Sequence, residues 1–254
     1  MSELRLNTDG HIIKFGADND INITHVADTG LTTNGAFTAS GSITVEGATP
    51  TLTIGDAGAE DAKIVFDGNA QDFHIGLDDT DDSIKIGLGS ALGTTAHIIS
   101  DATGAVTKPL QPAFLAVSQE VTGALTDIAT DNSNNDLRFA TEVFDQNGDY
   151  NAANGIFTAP VAGRYLFSFN VRLAEIDSAA TYVALRYISS NRSIDVNVMH
   201  PLFDGDPGRF TLTGSLIGDM DASDTAKLAV AQYGGTAQMN FETGHSTFSG
   251  CLLA

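Results

Sequence analysis

The 254-residue sequence contains no tryptophan, one cysteine and six prolines, and charged residues make up only 17% of it. The single cysteine, Cys251, excludes an intrachain disulfide, so we expect a fold that is stable without one. No apolar run approaches the length of a membrane span, and we expect neither membrane insertion nor a signal peptide. Sustained apolar spacing of the helical kind is also missing, which argues against long amphipathic helices.

Basic residues are scarce, with 12 against 32 acidic ones and a formal net charge of −20. Such a charge repels nucleic-acid phosphates and anionic membrane surfaces, so neither is expected as a partner. Calcium is the one cofactor considered, because it takes about six to eight oxygen ligands, often from acidic loops. Aspartates that form turns are the alternative reading. The calcium candidates lie close together in one segment: Asp78, Asp79, Asp81 and Asp82.

Motifs that carry catalysis are also missing. The six histidines are scattered, and the sequence contains no phosphate-binding loop, dinucleotide fingerprint, zinc-protease motif or nucleophile elbow. His245 precedes Ser246, but neighbouring strand residues point to opposite faces and cannot share a proton. We therefore expect no enzyme. A polysaccharide depolymerase is the enzymatic alternative, since a pair of carboxylates in a groove cannot be located from sequence.

The sequence is instead rich in glycine, with 26 residues placed between short apolar runs, which predicts an all-β protein with many tight turns. In residues 1–108 short alternating segments recur about every ten residues. Phe73, Ile75 and Leu77 share one face of such a segment. The repeated segments are AKIVFDG (62–68), DFHIGLDD (72–79), DSIKIGLGS (82–90) and AHIISDATG (96–104), with TPTLTIGDAG (49–58) upstream.

One copy of so thin a ribbon buries too little apolar surface to offset the ordering of its backbone, at about 1–2 kcal/mol per residue. Winding several copies around a shared axis would bury the apolar face and cover the strand edges. We therefore predict that residues 1–108 form a repetitive β shaft, as a trimeric prism, spiral or meander. A monomeric β domain is the alternative.

A boundary is predicted near residues 108–112, where two prolines interrupt regular structure. Beyond it, residues 109–254 carry longer and more aromatic strands. Tyr165, Phe167 and Phe169 fall on one parity and Ser168 and Asn170 on the other, so the first set is predicted to face a core. Eight or more such strands fit a two-sheet jelly roll.

Residues 109–254, the predicted head, also carry a set of short motifs in a fixed order. They are Phe144-Asp145, Gly148-Asp149-Tyr150, Gly155-Ile156-Phe157-Thr158-Ala159-Pro160, Gly163-Arg164-Tyr165-Leu166-Phe167 and Phe248-Ser249-Gly250-Cys251-Leu252-Leu253. With these motifs residues 113–254 resemble the C1q/TNF-like globular domain. The resemblance implies a jelly-roll head, a homotrimer, and binding rather than catalysis. The collagen stalk that precedes many such heads is absent, and the acidic repeats take its place.

The N-terminal repeats resemble segments of structural proteins from tailed bacteriophages. That resemblance implies a virion protein, assembled in the host cytoplasm and attached to other virion proteins through its N-terminal region. A trimeric fibre whose head binds a host surface glycan or protein is the function it suggests. The alternative is a capsid decoration, cement or head-fibre protein with no receptor role.

Receptor contacts are expected in loops, because loops on a rigid scaffold carry recognition. Arginines there could pair bidentately with a carboxylate or an acidic glycan. The candidate receptor-facing residues are Asp145, Asn147, Asp149, Asn151, Arg192, Asp204, Asp206 and Arg209.

Overall fold

The computed structural model describes residues 12–15, 21–26, 30–33, 36–93, 96–119 and 125–254. Regular structure in these ranges is entirely β, so they contain no helix that could cross a membrane. The chain divides into two units, residues 1–54 and 55–254. The boundary predicted near residues 108–112 therefore lies inside the second unit, where it stays a prediction of where shaft and head meet.

The first unit contains a three-stranded antiparallel meander. Its strands are β1 (Ile12–Phe15), β2 (Ile21–Val26) and β3 (Gly30–Thr33). Residues 36–61 follow without a strand. The strand predicted for residues 49–58 is therefore wrong, because apolar alternation forms a strand only where a second strand pairs with it. Leu52 and Ile54 of that segment are exposed.

The second unit begins with a five-stranded antiparallel meander over residues 62–107, one of the forms predicted for the repeats. That copies of it wind into a shaft stays a prediction. The strands of the meander, in spatial as well as chain order, are β4 (Ala62–Phe66), β5 (Phe73–Asp78), β6 (Ser83–Leu88), β7 (Ala96–Ser100) and β8 (Val106–Thr107). We call this element the meander sheet.

One face of the meander sheet is apolar. Ile64 pairs with Ile75, Ile75 with Ile86, and Ile86 with Ile98, so four isoleucines form a ladder across four strands. Directly paired residues point to the same side of a sheet. The flanking pairs on this face are also apolar: Phe66 with Phe73, Phe73 with Leu88, and Leu77 with Ile84. The predicted shared face of Phe73, Ile75 and Leu77 in β5 is therefore confirmed, and β6 follows the same alternation.

The opposite face is polar, and several of its side chains are buried. Lys85 Nζ lies 2.5 Å from Asp78 Oδ2 and 2.8 Å from Asp81 Oδ2, and the lysine is almost wholly buried. His74 is also buried, with Nδ1 2.9 Å from the Gly89 carbonyl oxygen. Hydrogen bonds from Lys85 lower the pKa of both carboxyls, and the same bonds raise the pKa of Lys85. These ion pairs satisfy charges that would otherwise be costly to bury.

The head is a sandwich of two antiparallel sheets, as predicted for residues 109–254. The front sheet consists of β9 (Ala113–Val117), β11 (Thr141–Asp145), β14 (Gly163–Ala174), β17 (Arg209–Met220), β19 (Asn240–Phe241) and β20 (Thr247–Leu252). Its strands lie in the order β11-β9-β20-β14-β17, with β19 beside β14. The back sheet consists of β10 (Asn135–Asp136), β12 (Tyr150–Asn151), β13 (Ile156–Thr158), β15 (Tyr182–Ser189), β16 (Ser193–Met199) and β18 (Thr225–Tyr233). Its strands lie in the order β12-β13-β18-β15-β16, with β10 beside β18.

Aromatic rings fill the space between the two sheets. Tyr165, Phe167 and Phe169 of β14 are buried, which confirms the predicted core face. Phe114 of the front sheet stacks on Phe157 of the back sheet with ring centroids 5.1 Å apart. Such ring pairs contribute about 0.5–1.5 kcal/mol beyond the area they bury. The head therefore has a complete core within one chain.

Two glycines of the sequence motifs are required by close approach in this core. A Cβ atom at Gly250 would lie 2.7 Å from the Phe114 ring and 2.9 Å from the Phe167 ring. Gly155 has a φ of +75°, and a Cβ atom there would lie 2.5 Å from the Leu137 carbonyl oxygen. At these two positions only glycine fits, because a side chain would clash with a neighbouring ring or with the backbone.

Substitution of Phe167 by Asp tests the strand assignment. Phe167→Asp places a carboxylate among aromatic rings, and we expect it to destabilise the head by about 3–5 kcal/mol or to prevent folding. Ser168→Asp is the matched control, since Ser168 is the exposed neighbour on the opposite face of β14. Thermal unfolding followed by circular dichroism makes the comparison. Equal melting temperatures for the two variants would contradict the assignment.

Candidate binding surface of the head

The head has two ends, defined by the two ends of β14. At the base end, Gly163 pairs with Met220, and the Arg164 N–H donates to the Ala254 carbonyl oxygen. At the distal end, Ala174 pairs with Arg209 and with Asn240. Residues 108–112, which we call the linker, lead the chain from the meander sheet into the base end. The distal end is formed by residues 125–133, 174–182, 200–208 and 234–242.

The loop after β11, which was predicted to face a receptor, lies at the base end. Asp145 accepts hydrogen bonds from the N–H groups of Gly148, Asp149 and Tyr150, so its carboxylate closes the loop. The Asn147 side chain donates 2.9 Å to the Leu110 carbonyl oxygen. These bonds hold the loop against the linker, so both residues have a structural role.

Two more predicted residues lie near the base end. Asp149 is partly buried, and this burial, together with the charge of Asp145, raises the pKa of its carboxyl. Arg192 forms an ion pair with Asp219 at 2.8 Å. Both groups therefore lie at the base end, away from the distal loops.

An apolar groove of about 590 Å³ lies at the base end, between the head and the last strands of the meander sheet. Ile98 of β7, Leu110 of the linker and Val161 and Leu252 of the head contribute to its lining. The groove continues the apolar face of the meander sheet onto the base of the head.

Asp206 at the distal end joins two loops. It accepts hydrogen bonds from the Ser178 N–H at 2.8 Å, from the Ser178 hydroxyl at 2.7 Å and from the Gln238 amide at 2.9 Å. The bond from the Ser178 N–H contributes most to lowering the pKa of Asp206 to about 2. Asp177, which the sequence did not single out, is buried and accepts from the N–H groups of Ala179 and Thr236.

Arg209 is paired within the same chain. Its Nε lies 2.7 Å from Glu242 Oε1, and Arg172 Nε lies 2.6 Å from Glu242 Oε2. Burial alone would raise the pKa of Glu242, but the two arginines outweigh it, and the pKa is lowered. With Arg209 and Arg192 both paired to carboxylates, the geometry gives no support to capture of an acidic glycan by these arginines.

The structure thus separates the eight predicted residues instead of bringing them together. Asp145, Asn147, Asp149 and Arg192 lie at the base end, and Asp204, Asp206 and Arg209 at the distal end. Asn151 lies in β12 at the edge of the back sheet, where its side chain accepts from the Ala153 N–H. Asp204, Asp206 and Arg209 are all exposed, but Asp204 takes no part in the bonds described above.

A row of three rings at the distal end was missed from the sequence. Tyr233 of β18, Tyr182 of β15 and His200, just after β16, lie side by side on the back sheet. The ring centroids are 5.5 Å apart between the tyrosines and 6.2 Å apart between Tyr182 and His200. His200 Nδ1 lies 2.8 Å from the Thr181 carbonyl oxygen, which fixes the ring. We call these three residues the aromatic row.

The calcium candidates do not form a cation site in this structure. Asp78 and Asp81 are bound to Lys85, which places a positive charge where a cation would have to bind. Asp82 adopts a positive φ of 53°, as turn aspartates do. Within the described residues, no three or more His, Cys, Asp or Glu side chains are grouped so that they could hold a metal ion.

Comparison with known families explains the head. The family model described as C1q domain matches residues 119–253. The chain belongs to the C1q domain family. The matched residues cover the two-sheet sandwich except for β9, and they include the aromatic row. A comparison with curated proteins returned no match.

Solved structures of C1q/TNF type are also similar to this chain. The globular domain of a zebrafish complement 1qA protein shares 21% identity, covers 57% of this chain and 98% of its own, and has a TM-score of 0.41. Murine APRIL at pH 8.0 shares 10% identity, covers 56% of this chain and 99% of its own, and has a TM-score of 0.39.

The bonds of Asp206 predict an acid-dependent contribution to the stability of the C1q domain. Because its pKa is lowered from 3.8 to about 2, its ionised form stabilises the folded state above about pH 4. That contribution is lost as the pH falls through about 2. We expect Asp206→Ala to lower the melting temperature by a few degrees at pH 7, with a smaller difference near pH 2.

Thermal unfolding between pH 7 and pH 2 measures this difference. Asp204→Ala, the exposed aspartate two residues away, is the control and should show no such pH-dependent difference. A constant difference between Asp206→Ala and the parent at every pH would show that the charge of Asp206 is not involved.

Proposed function

We propose that this chain is a structural fibre protein of a tailed bacteriophage, a homotrimer whose C1q domain attaches to the host surface through its distal end. The observation that carries the proposal is that the chain entry and the aromatic row lie at opposite ends of the head. The chain reaches the head at its base end, whereas the aromatic row lies at the opposite end. A fibre anchored through residues 1–108 would therefore present that row to whatever lies in front of it.

Family membership supports both the trimer and the binding role. Domains of the C1q/TNF type are often trimeric and involved in binding. Trimerisation would place three distal ends side by side, and three weak contacts on one particle strengthen one another by their effective concentration. We propose no catalytic role for the chain.

The chemistry of the distal end favours a neutral partner. Tyr233 is half exposed, and rings that offer both an apolar face and a polar group suit ligands that are partly apolar and partly hydroxylated. Asp131 lies beside Tyr233 through an isolated β-bridge, and the chain as a whole carries a net charge of −20, which repels anionic ligands. A neutral host surface glycan fits these features better than an acidic one, and a host protein of low negative charge is the other candidate.

The bacteriophage context comes from the repeat style of residues 1–108. In this proposal those residues attach the fibre to other virion proteins. Capsid decoration without a receptor role is the competing function, and the exposed apolar face of the meander sheet favours an assembly role of that kind as much as a fibre.

Host attachment is tested by adding purified protein to cells of a bacterium on which a phage carrying it grows. We expect the parent protein to coat the cells and to block infection, and Tyr233→Ala to lose at least about tenfold in cell binding, since ring anchors dominate such contacts. Phe144→Ala is the matched control, because Phe144 is as exposed as Tyr233, at 49%, but lies in β11 of the front sheet.

Three results would count against this proposal or a part of it. Parent protein that does not coat host cells, combined with capsids that lose pressure resistance when the protein is missing, would establish decoration instead. Equal binding by Tyr233→Ala and the parent would remove the aromatic row from the contact. Release of reducing sugar from host polysaccharide would contradict both non-enzymatic functions.

A further inference from the structure

In the meander sheet, several polar side chains are buried, whereas the apolar face is exposed. Antiparallel sheets normally pack the apolar face on a core and turn the polar face to water. Here Lys85 and His74 on the polar face are buried, while Ile75 at the centre of the apolar face is 39% exposed and Phe66 at its edge is 54% exposed. The described residues of one chain therefore leave much of the apolar face without a cover.

We infer that the cover is the same face of other copies of this chain, so that the isoleucine ladders of three subunits pack around one axis. This inference deepens the proposed function, because it rests on the homotrimer and places a subunit contact in the meander sheet. The residues that would carry the contact are Ile64, Ile75, Ile86 and Ile98 of the ladder, flanked by Phe66, Phe73, Leu77, Ile84 and Leu88.

The size of the face fits a contact between subunits. Apolar side chains that are 39–54% exposed lie side by side on this face, and they are Ile64 and Phe66 of β4, Phe73, Ile75 and Leu77 of β5 and Ile84 of β6. Large contiguous apolar patches are rare on soluble monomers and mark interaction sites. A stable contact needs about 800 Å² from each partner, and the base groove that begins at Ile98 extends the face toward that area.

The charge of the chain favours a second copy as the partner. Subunits that each carry −20 repel one another, so a surface free of charge is a favourable place for them to meet. The paired positions on this face are occupied by isoleucine, phenylalanine, leucine, alanine and serine, and none of them is charged. The ion pairs of Lys85 lie on the other side of the sheet, where packing of the apolar faces leaves them undisturbed.

Labelling of single cysteines in the full-length chain tests the inference. Ile75→Cys and Val65→Cys are made in a Cys251→Ser background, which leaves one thiol in each variant. The two positions are matched, since Ile75 is 39% and Val65 37% exposed in the single chain, on adjacent strands but on opposite faces. Reaction with a water-soluble maleimide is followed over time, and light scattering gives the mass of each variant.

We expect a trimeric mass for both variants and labelling of Ile75→Cys at least about tenfold slower than labelling of Val65→Cys. Equal labelling rates in a trimer would overturn the inference and leave the trimeric fibre standing, with its subunits held by the heads alone. Slow labelling of Ile75→Cys in a monomer would also overturn it, because the cover would then come from the same chain. A monomer with equal labelling rates would overturn both the contact and the trimer.

Discussion

The burial of the isoleucine ladder is the constraint on which the rest of this structure depends. Four side chains aligned across four strands present an uninterrupted apolar surface, and water solvates such a surface at a cost of about 25 cal/mol per Å². Within the described residues of one chain, much of this surface stays exposed to water. In the proposed trimer, the contact that removes the surface from water also joins the subunits.

The head obeys the opposite rule. Its rings, among them Phe114, Phe157 and Phe167, interlock between two sheets of the same chain, and the core is closed without help. In the proposed fibre, the stalk would form only on assembly, whereas each head has a closed core within its own chain.

Period-two patterns predicted the strands well but said little about the site. The alternation in β14 identified Tyr165, Phe167 and Phe169 as core residues, because side-chain direction in a strand follows directly from sequence parity. Parity does not tell which end of the sandwich a loop occupies, so it could not show that the loop after β11 lies at the base end, beside Leu110. The role of that loop in receptor contact stays a prediction. Residues 49–58 have the parity of a strand but no neighbouring strand.

The residues missed from the sequence share one cause, which is that their partners are distant in the chain. Tyr182 and Tyr233 are separated by 51 positions and meet only because β15 pairs with β18. Arg209 finds Glu242 through the packing of two distal segments, and so a side chain that looked free for a ligand is paired. By contrast, the motif glycines were visible at once, because Gly250 is fixed by rings that the family pattern also contains.

Sedimentation equilibrium of the full-length chain at micromolar concentration tests the central claim most directly. The account predicts a species of three chains of 26.5 kDa each, because only association covers the apolar ladder. A folded protein that sediments as a single 26.5 kDa chain would contradict it.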